Sequence, residues 1–286
     1  MNGAQQGFTL VELILVMVLT AVIGAALATF LARPMTAYVD LSRRAALVDE
    51  ADTALRRMAR DIRRALPNSL RVRNDGLAVE FLYTADGARY RAAPGRTAHT
   101  DANDWLDFTA ADAAFNVFSA VELALPAAAP GGPRLAVYTV NPEELYQDLA
   151  GNRNPGVVTP ADTAIGQTLD EGDEMQIRLT PAFRFRLRSP QQRLYVVSTP
   201  VTYRCDPARR VLEYFDNYAP AAAFTAQSGA GSLLSTRVAA CAFSYNPGTA
   251  RRAGVITLVL TLAEQAEGGA TESVRLLHQV QVDNTP

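Results

Sequence analysis

The sequence contains no lysine: all 27 of its basic residues are arginine. Cysteine and histidine are scarce, at two each, and there is a single tryptophan. Two cysteines are too few for a disulfide-dense mini-scaffold. Charge of one sign is not in excess either. A net charge of −2 with 20% charged residues gives no general attraction to nucleic acid or acidic substrates. With 49% apolar residues over 286 positions, the chain is neither disordered nor collagen-like, and it has material for one large domain or two ordinary ones. Catalytic signatures are missing as well. There is no GxSxG elbow, HExxH helix, P-loop or dinucleotide-binding GxGxxG in the chain.

What is present is concentrated at one end. From Phe8 to Leu31 a single charge, Glu12, interrupts 24 residues. As a helix rising ~1.5 Å per residue, this run reaches roughly 36 Å, enough to cross a ~30 Å hydrocarbon layer. It is too long, and too apolar on all sides, for a buried core helix. A secretory signal peptide fits no better, since such peptides carry a basic start and a shorter apolar core. Here the polar stretch Met1–Gly7 has no basic residue, and Glu12 sits near the start of the run. The small residues Ala21, Gly24, Ala25, Ala26 and Ala28 suit close approach to another helix. A carboxylate at membrane depth costs on the order of 2.5–3.5 kcal/mol, so Glu12 calls for a partner or a place near the interface. An amine created at Phe8 would lie one helical turn from Glu12, or beside the Glu12 of a neighbouring helix.

Gly7-Phe8-Thr9-Leu10-Val11-Glu12-Leu13 resembles the cleavage and methylation motif of type IV pilins and type II secretion pseudopilins. The resemblance implies cleavage between Gly7 and Phe8 by a prepilin peptidase, which also methylates the new Phe8 amine. Glycine suits the cut because it lets a peptidase approach the backbone closely. It further implies that Glu12 pairs with the amine of an adjacent subunit and so sets the axial register of assembly. Leaders of the family normally carry Lys or Arg, and Met1–Gln6 has neither.

Pro34 follows the apolar run; its missing donor and its ring predict a kink or break in the helix. Beyond it, Leu41, Ala45, Val48, Leu55, Met58, Ile62 and Leu66 recur at helical spacings, predicting an amphipathic stalk that stops before Pro67. Ten arginines between Arg33 and Arg73 face five acids, a local charge of +5. No aromatic residues are interleaved for base stacking, and Asp52 and Asp61 stand at helical spacing from Arg56, Arg57 and Arg64, so a solvated face or subunit contact is the better reading than a nucleic-acid stripe.

From Leu70 onward the pattern becomes strand-like. Short runs appear at Leu77–Tyr83, Leu135–Val140, Met175–Leu179, Leu194–Tyr203, Val211–Tyr214, Arg237–Tyr245, Gly254–Leu262 and Ser273–Val282. Turn residues such as Asn74-Asp75-Gly76 and Asp86-Gly87 punctuate them, and the last two runs read as an antiparallel hairpin. Asn141–Asp173, polar and rich in Pro and Gly, reads as an elaborated loop. Cys205 and Cys241 lie in or beside strands; outside the cytoplasm, where the resemblance places them, a disulfide is the default.

Three further stretches resemble MshO-type minor pilins of mannose-sensitive haemagglutinin (MSHA) pili: 54–69, 200–205 and 278–284. J-type secretion pseudopilins and PilW-like minor pilins share related architecture. The expected fold is therefore α+β and pilin-like: a long, kinked N-terminal transmembrane helix packed on a domain rich in antiparallel β-sheet. Its parts are a leader (1–7), a membrane and assembly helix (8–31), a stalk helix (32–66) and an exported β-rich domain (67–286). The implied partners are the prepilin peptidase/methyltransferase, other major and minor pilins, an inner-membrane assembly platform and membrane lipid; nucleic acid is not expected. The implied function is that of a minor pilin in assembly, initiation or tip display, first held in the bacterial inner membrane with a periplasmic domain. The alternatives are a J-type pseudopilin and, from another class, a pilin-anchored adhesin or DNA-binding module. No enzymatic role, cofactor or metal is expected. His99 and His278 read as surface or strand histidines, and the acidic cluster Asp170–Glu174 departs from the EF-hand spacing.

Overall fold

The computed structural model describes residues 9–284 apart from 97, 127–131, 162, 226, 228, 230, 249–251, 266–268 and 270. Helix α1, Leu10–Ile62, runs for 53 residues. At ~1.5 Å per residue that is about 80 Å. Thr9 caps it by accepting the Glu12 N–H on its hydroxyl at 3.3 Å, and Arg63 closes it. The helix passes through Pro34 without interruption, so of the kink or break expected there, no break is seen. One proline removes one donor, and the hydrogen bonds on either side carry the helix across.

The stalk stripe also shifts. Leu47, Ala51, Ala54, Leu55, Met58, Ala59 and Ile62 are buried, whereas Leu41 is 68% exposed and Val48 39% exposed. The 3.6-residue period holds, but the stripe it marks includes residues that stand clear of the domain. The helix stops at Ile62 rather than Leu66, because Ala65 bridges to Tyr83 and the Leu66 N–H donates to the Leu82 carbonyl at 2.8 Å.

Among the described residues, three antiparallel sheets follow. The first runs β1 (Arg71–Val72), β2 (Ala78–Arg89), β7 (Arg193–Asp206), β8 (Val211–Phe215), β9 (Ser232–Ser235), with β4 (Arg134–Ala136) also pairing β7. The second is β10 (Val238–Asn246), β11 (Gly254–Gln265), β12 (Thr271–Val282). Its last two strands form the expected hairpin, in unbroken register from Gly254 opposite Val282 to Gln265 opposite Thr271. The third is β3 (Asp112–Val117), β6 (Glu174–Phe183), β5 (Ala164–Asp170).

The turn at Asn74-Asp75-Gly76 forms as read. Gly76 has φ +70°, and a Cβ there would meet the Phe243 carbonyl oxygen at 3.2 Å, so glycine suits both the backbone and the fit. Asp86-Gly87 is not a turn: it lies inside β2, where register shifts between Leu82 and Asp86 bend the strand instead. Asn141–Asp173 is not one loop either. It holds α2 (Pro142–Gly151) and β5. The signs of α2 were present: Asn141 caps it, Pro142 and two glutamates open it, and Asn152 ends it at φ +46°.

The long strands β2 and β7 join two cores. In one, the buried face of α1 meets Val79, Phe81, Val201 and Tyr203 of the first sheet and Ile256, Leu258, Leu260 and Leu262 of the second. Each fully buried Leu, Ile or Met contributes about 1.5–3 kcal/mol. In the other, the far halves of β2 and β7 pack with the third sheet around Phe115, Ile177, Phe183 and Phe185. Leu66, Leu82 and α2 fill a smaller core between them.

Candidate assembly site on the N-terminal helix

From Leu10 to Ala28 no side chain is buried by the rest of the molecule. These 19 residues span roughly 28 Å as a helix, close to the hydrocarbon thickness of a bilayer. Thr20 resolves its own polar group by donating its hydroxyl to the carbonyls of Val16 and Met17. Such back-bonding satisfies a hydroxyl where water is missing. The segment fits a single-pass membrane anchor, apolar along its length and left bare by the β-rich domain.

Glu12 lies in the first turn, exposed, with its N–H held by Thr9. A carboxylate there is favoured by the positive end of the helix. Gly7 and Phe8, the expected cleavage pair, lie outside the described residues. Pro34 lies within the continuous helix.

Arginine holds the helix to the domain. The Arg237 guanidinium reaches Glu50 of α1 at 2.8 Å and Glu264 of β11 at 2.8 Å. Arg44 approaches Glu272 of β12 at 3.5 Å. Arg57 stacks on Tyr214 at 4.8 Å and Arg64 on Tyr83 at 4.5 Å, planar contacts that suit a guanidinium. Of the ion pairs anticipated within the stalk, Asp52–Arg56 forms at 2.6 Å. Asp61 instead accepts the Tyr203 hydroxyl. Part of the basic face is thus an internal contact with the sheet. Burial, then Asp61, pushes the Tyr203 hydroxyl above the usual tyrosine range. Burial and Asp216 push Tyr214 up to about 12.

Cys205 of β7 and Cys241 of β10 are joined in a disulfide, with Cα atoms 6.5 Å apart, that links the first and second sheets. The aromatic residues from Tyr203 onward act as core and as stacking partners: Tyr203 is fully buried and Tyr214 lies 5.3 Å from it. His278 sits on β12 opposite Leu258. His99 is not a surface or strand residue; it occupies a loop, with φ +57°, among Asn116, Asp170 and Glu174. Sequence reasoning missed this cluster because its members come from a loop, β3 and the β5–β6 turn, with no spacing to connect them. It missed the Arg237–Glu50 anchor for the same reason.

A bare apolar helix fused to an antiparallel β-rich domain defines an α+β, pilin-like architecture. Residues 2–28 match the family model for the prokaryotic N-terminal methylation motif. This match supports a type IV pilin-like prepilin, a class processed by prepilin peptidase and assembled with other pilins or pseudopilins. No curated protein and no solved structure matches the chain.

Proposed function

We propose that this protein is a minor pilin of an MSHA-like type IV pilus, acting in assembly, initiation or tip display and not in catalysis. The observation that carries this reading is the exposed Leu10–Ala28 helix inside a methylation motif, with one carboxylate, Glu12, in its first turn. An apolar surface of this length stores the subunit in the inner membrane, with the β-rich domain on the periplasmic side, and later buries itself among the helices of other pilins in a filament core. Small residues at Ala21, Gly24, Ala25 and Ala28 allow close helix approach there. Glu12 then pairs with the Phe8 amine of a neighbour; a mispaired register would leave the carboxylate desolvated and alone, at a cost of several kcal/mol. The resemblance of 54–69, 200–205 and 278–284 to MshO-type sequences supports the minor-pilin branch.

The test is mass spectrometry of the mature chain from cells with active peptidase. The expected product begins at an N-methylated Phe8, and an intact Met1 would overturn the reading. Pilus counts in a deletion strain then separate the branches. Loss of pili supports the minor pilin; normal pili with failed protein secretion points to the J-type pseudopilin.

A further inference from the structure

The loop carrying His99 and Asp104 is laid along β3 by backbone hydrogen bonds: Asn116 N–H donates to the Asp104 carbonyl at 3.0 Å, and Arg91 N–H to the Asn116 carbonyl at 2.8 Å. The β5–β6 turn delivers Asp170 and Glu174, which are paired across the hairpin, to the same place. His99, Asp104 and Asp170 thereby each present one ligand atom within 4.8 Å of the others. His99 Nδ1 lies 3.5 Å from Asp170 Oδ2. Two ligands on one tetrahedral ion with 2.1 Å bonds stand about 3.4 Å apart.

The hydrogen bonding of the cluster is out of balance in the way a cation would correct. Three acceptors converge on one amide nitrogen: Asn116 Nδ2 lies 2.7 Å from Asp170 Oδ2, 3.1 Å from His99 Nδ1 and 3.3 Å from Glu174 Oε2. That nitrogen has only two hydrogens to give. The oxygen of the same amide, fully buried with its residue, has no hydrogen-bond partner among the described residues. Leaving a buried acceptor unsatisfied costs about 1–3 kcal/mol. A cation among the converging acceptors takes up the acceptor that the nitrogen's two hydrogens leave over. Charge points the same way. Asp104, Asp170 and Glu174 share the cluster with Arg91, whose guanidinium holds Glu174 at 2.9 Å. A divalent cation adds positive charge beside these carboxylates.

We infer that His99, Asp104 and Asp170 bind a divalent transition-metal ion of the Zn²⁺ class, with the Asn116 amide beside them. The imidazole selects this class over Ca²⁺ and Mg²⁺, which prefer all-oxygen shells. The bound ion clamps His99 and Asp104 to the third sheet, apart from the assembly helix and independently of its function.

The experiment uses the full chain in detergent, stripped with a chelator, and titrates it with Zn²⁺ and in parallel with Ca²⁺. One Zn²⁺ per chain is expected, with a rise in the unfolding temperature and no such effect of Ca²⁺. His99→Ala and Asp170→Asn should each weaken Zn²⁺ binding at least about tenfold while retaining the wild-type circular dichroism. Absence of saturable one-to-one binding, undiminished binding in both variants, or tighter Ca²⁺ binding that survives His99→Ala overturns the assignment. Should His99→Ala disturb the fold, Co²⁺ on the wild-type chain decides: a visible band of a nitrogen-ligated ion supports the site, and its absence refutes it.

Discussion

Tyr203 donates its hydroxyl to Asp61 across 2.5 Å, joining the last turn of α1 to the middle of the first sheet over 142 residues of sequence. A hydrogen bond to a charged group contributes about 1.5–3 kcal/mol. Tyr203→Phe keeps the buried ring and removes only this bond. A loss of stability in that range is expected from denaturant titration, and an unchanged midpoint would show that Asp61 is satisfied elsewhere.

Tyrosine ionisation sets an alkaline limit. Tyr214 titrates near 12 in the folded chain, raised by burial and Asp216, against about 10 when unfolded. A raised folded value favours the folded state fully below pH ~10, and that contribution is lost as pH rises through ~12. Thermal unfolding followed from pH 9 to 12 should show stability falling over that window. Tyr214→Phe should flatten the fall.

The buried face of α1 is tested by contrast. Met58→Ala, at a fully buried position, should cost roughly 2–5 kcal/mol. Leu41→Ala, at an exposed one, should stay within about ±0.5 kcal/mol. Equal effects at both sites would mean that the helix packs on another face.

The disulfide between Cys205 and Cys241 closes 36 residues and should stabilise by about 3–4 kcal/mol in the chain-entropy model. Non-reducing peptide mapping should recover the linked pair, and Cys205→Ser should lower the unfolding midpoint accordingly.

Glu12→Ala should leave membrane insertion and cleavage intact and abolish assembly, since the change removes a charge without shortening the apolar run. Normal piliation by this variant would sink the proposed pairing with the Phe8 amine.

The membrane-length helix was legible because it depends on composition alone, and the hairpin of β11 and β12 because alternation over twelve residues is a strong signal. The helix ran past Pro34 because a local cost of one hydrogen bond does not decide a 53-residue element. Strand β5 escaped detection because its edge position leaves most of its side chains half-buried or exposed, which blurs the alternation. Leu41 and Val48 lie on the apolar stripe yet stand exposed, because periodicity shows that a stripe exists, not where along it the domain begins. Asp61 illustrates the limit at the site: helical spacing offered it to Arg57 and Arg64, yet Tyr203, distant in sequence, takes it.

The unbroken helix ties two directions together. Each residue turns the chain by about 100° around the axis. The set Leu47, Ala51, Leu55, Met58 and Ile62 fixes where the β-rich domain sits around that axis, and so fixes its compass bearing relative to Glu12. In a filament, contacts made by Glu12 would dictate which flank of the domain faces outward. Inserting a single residue between the two would swing that flank by about 100° without altering any contact inside the domain.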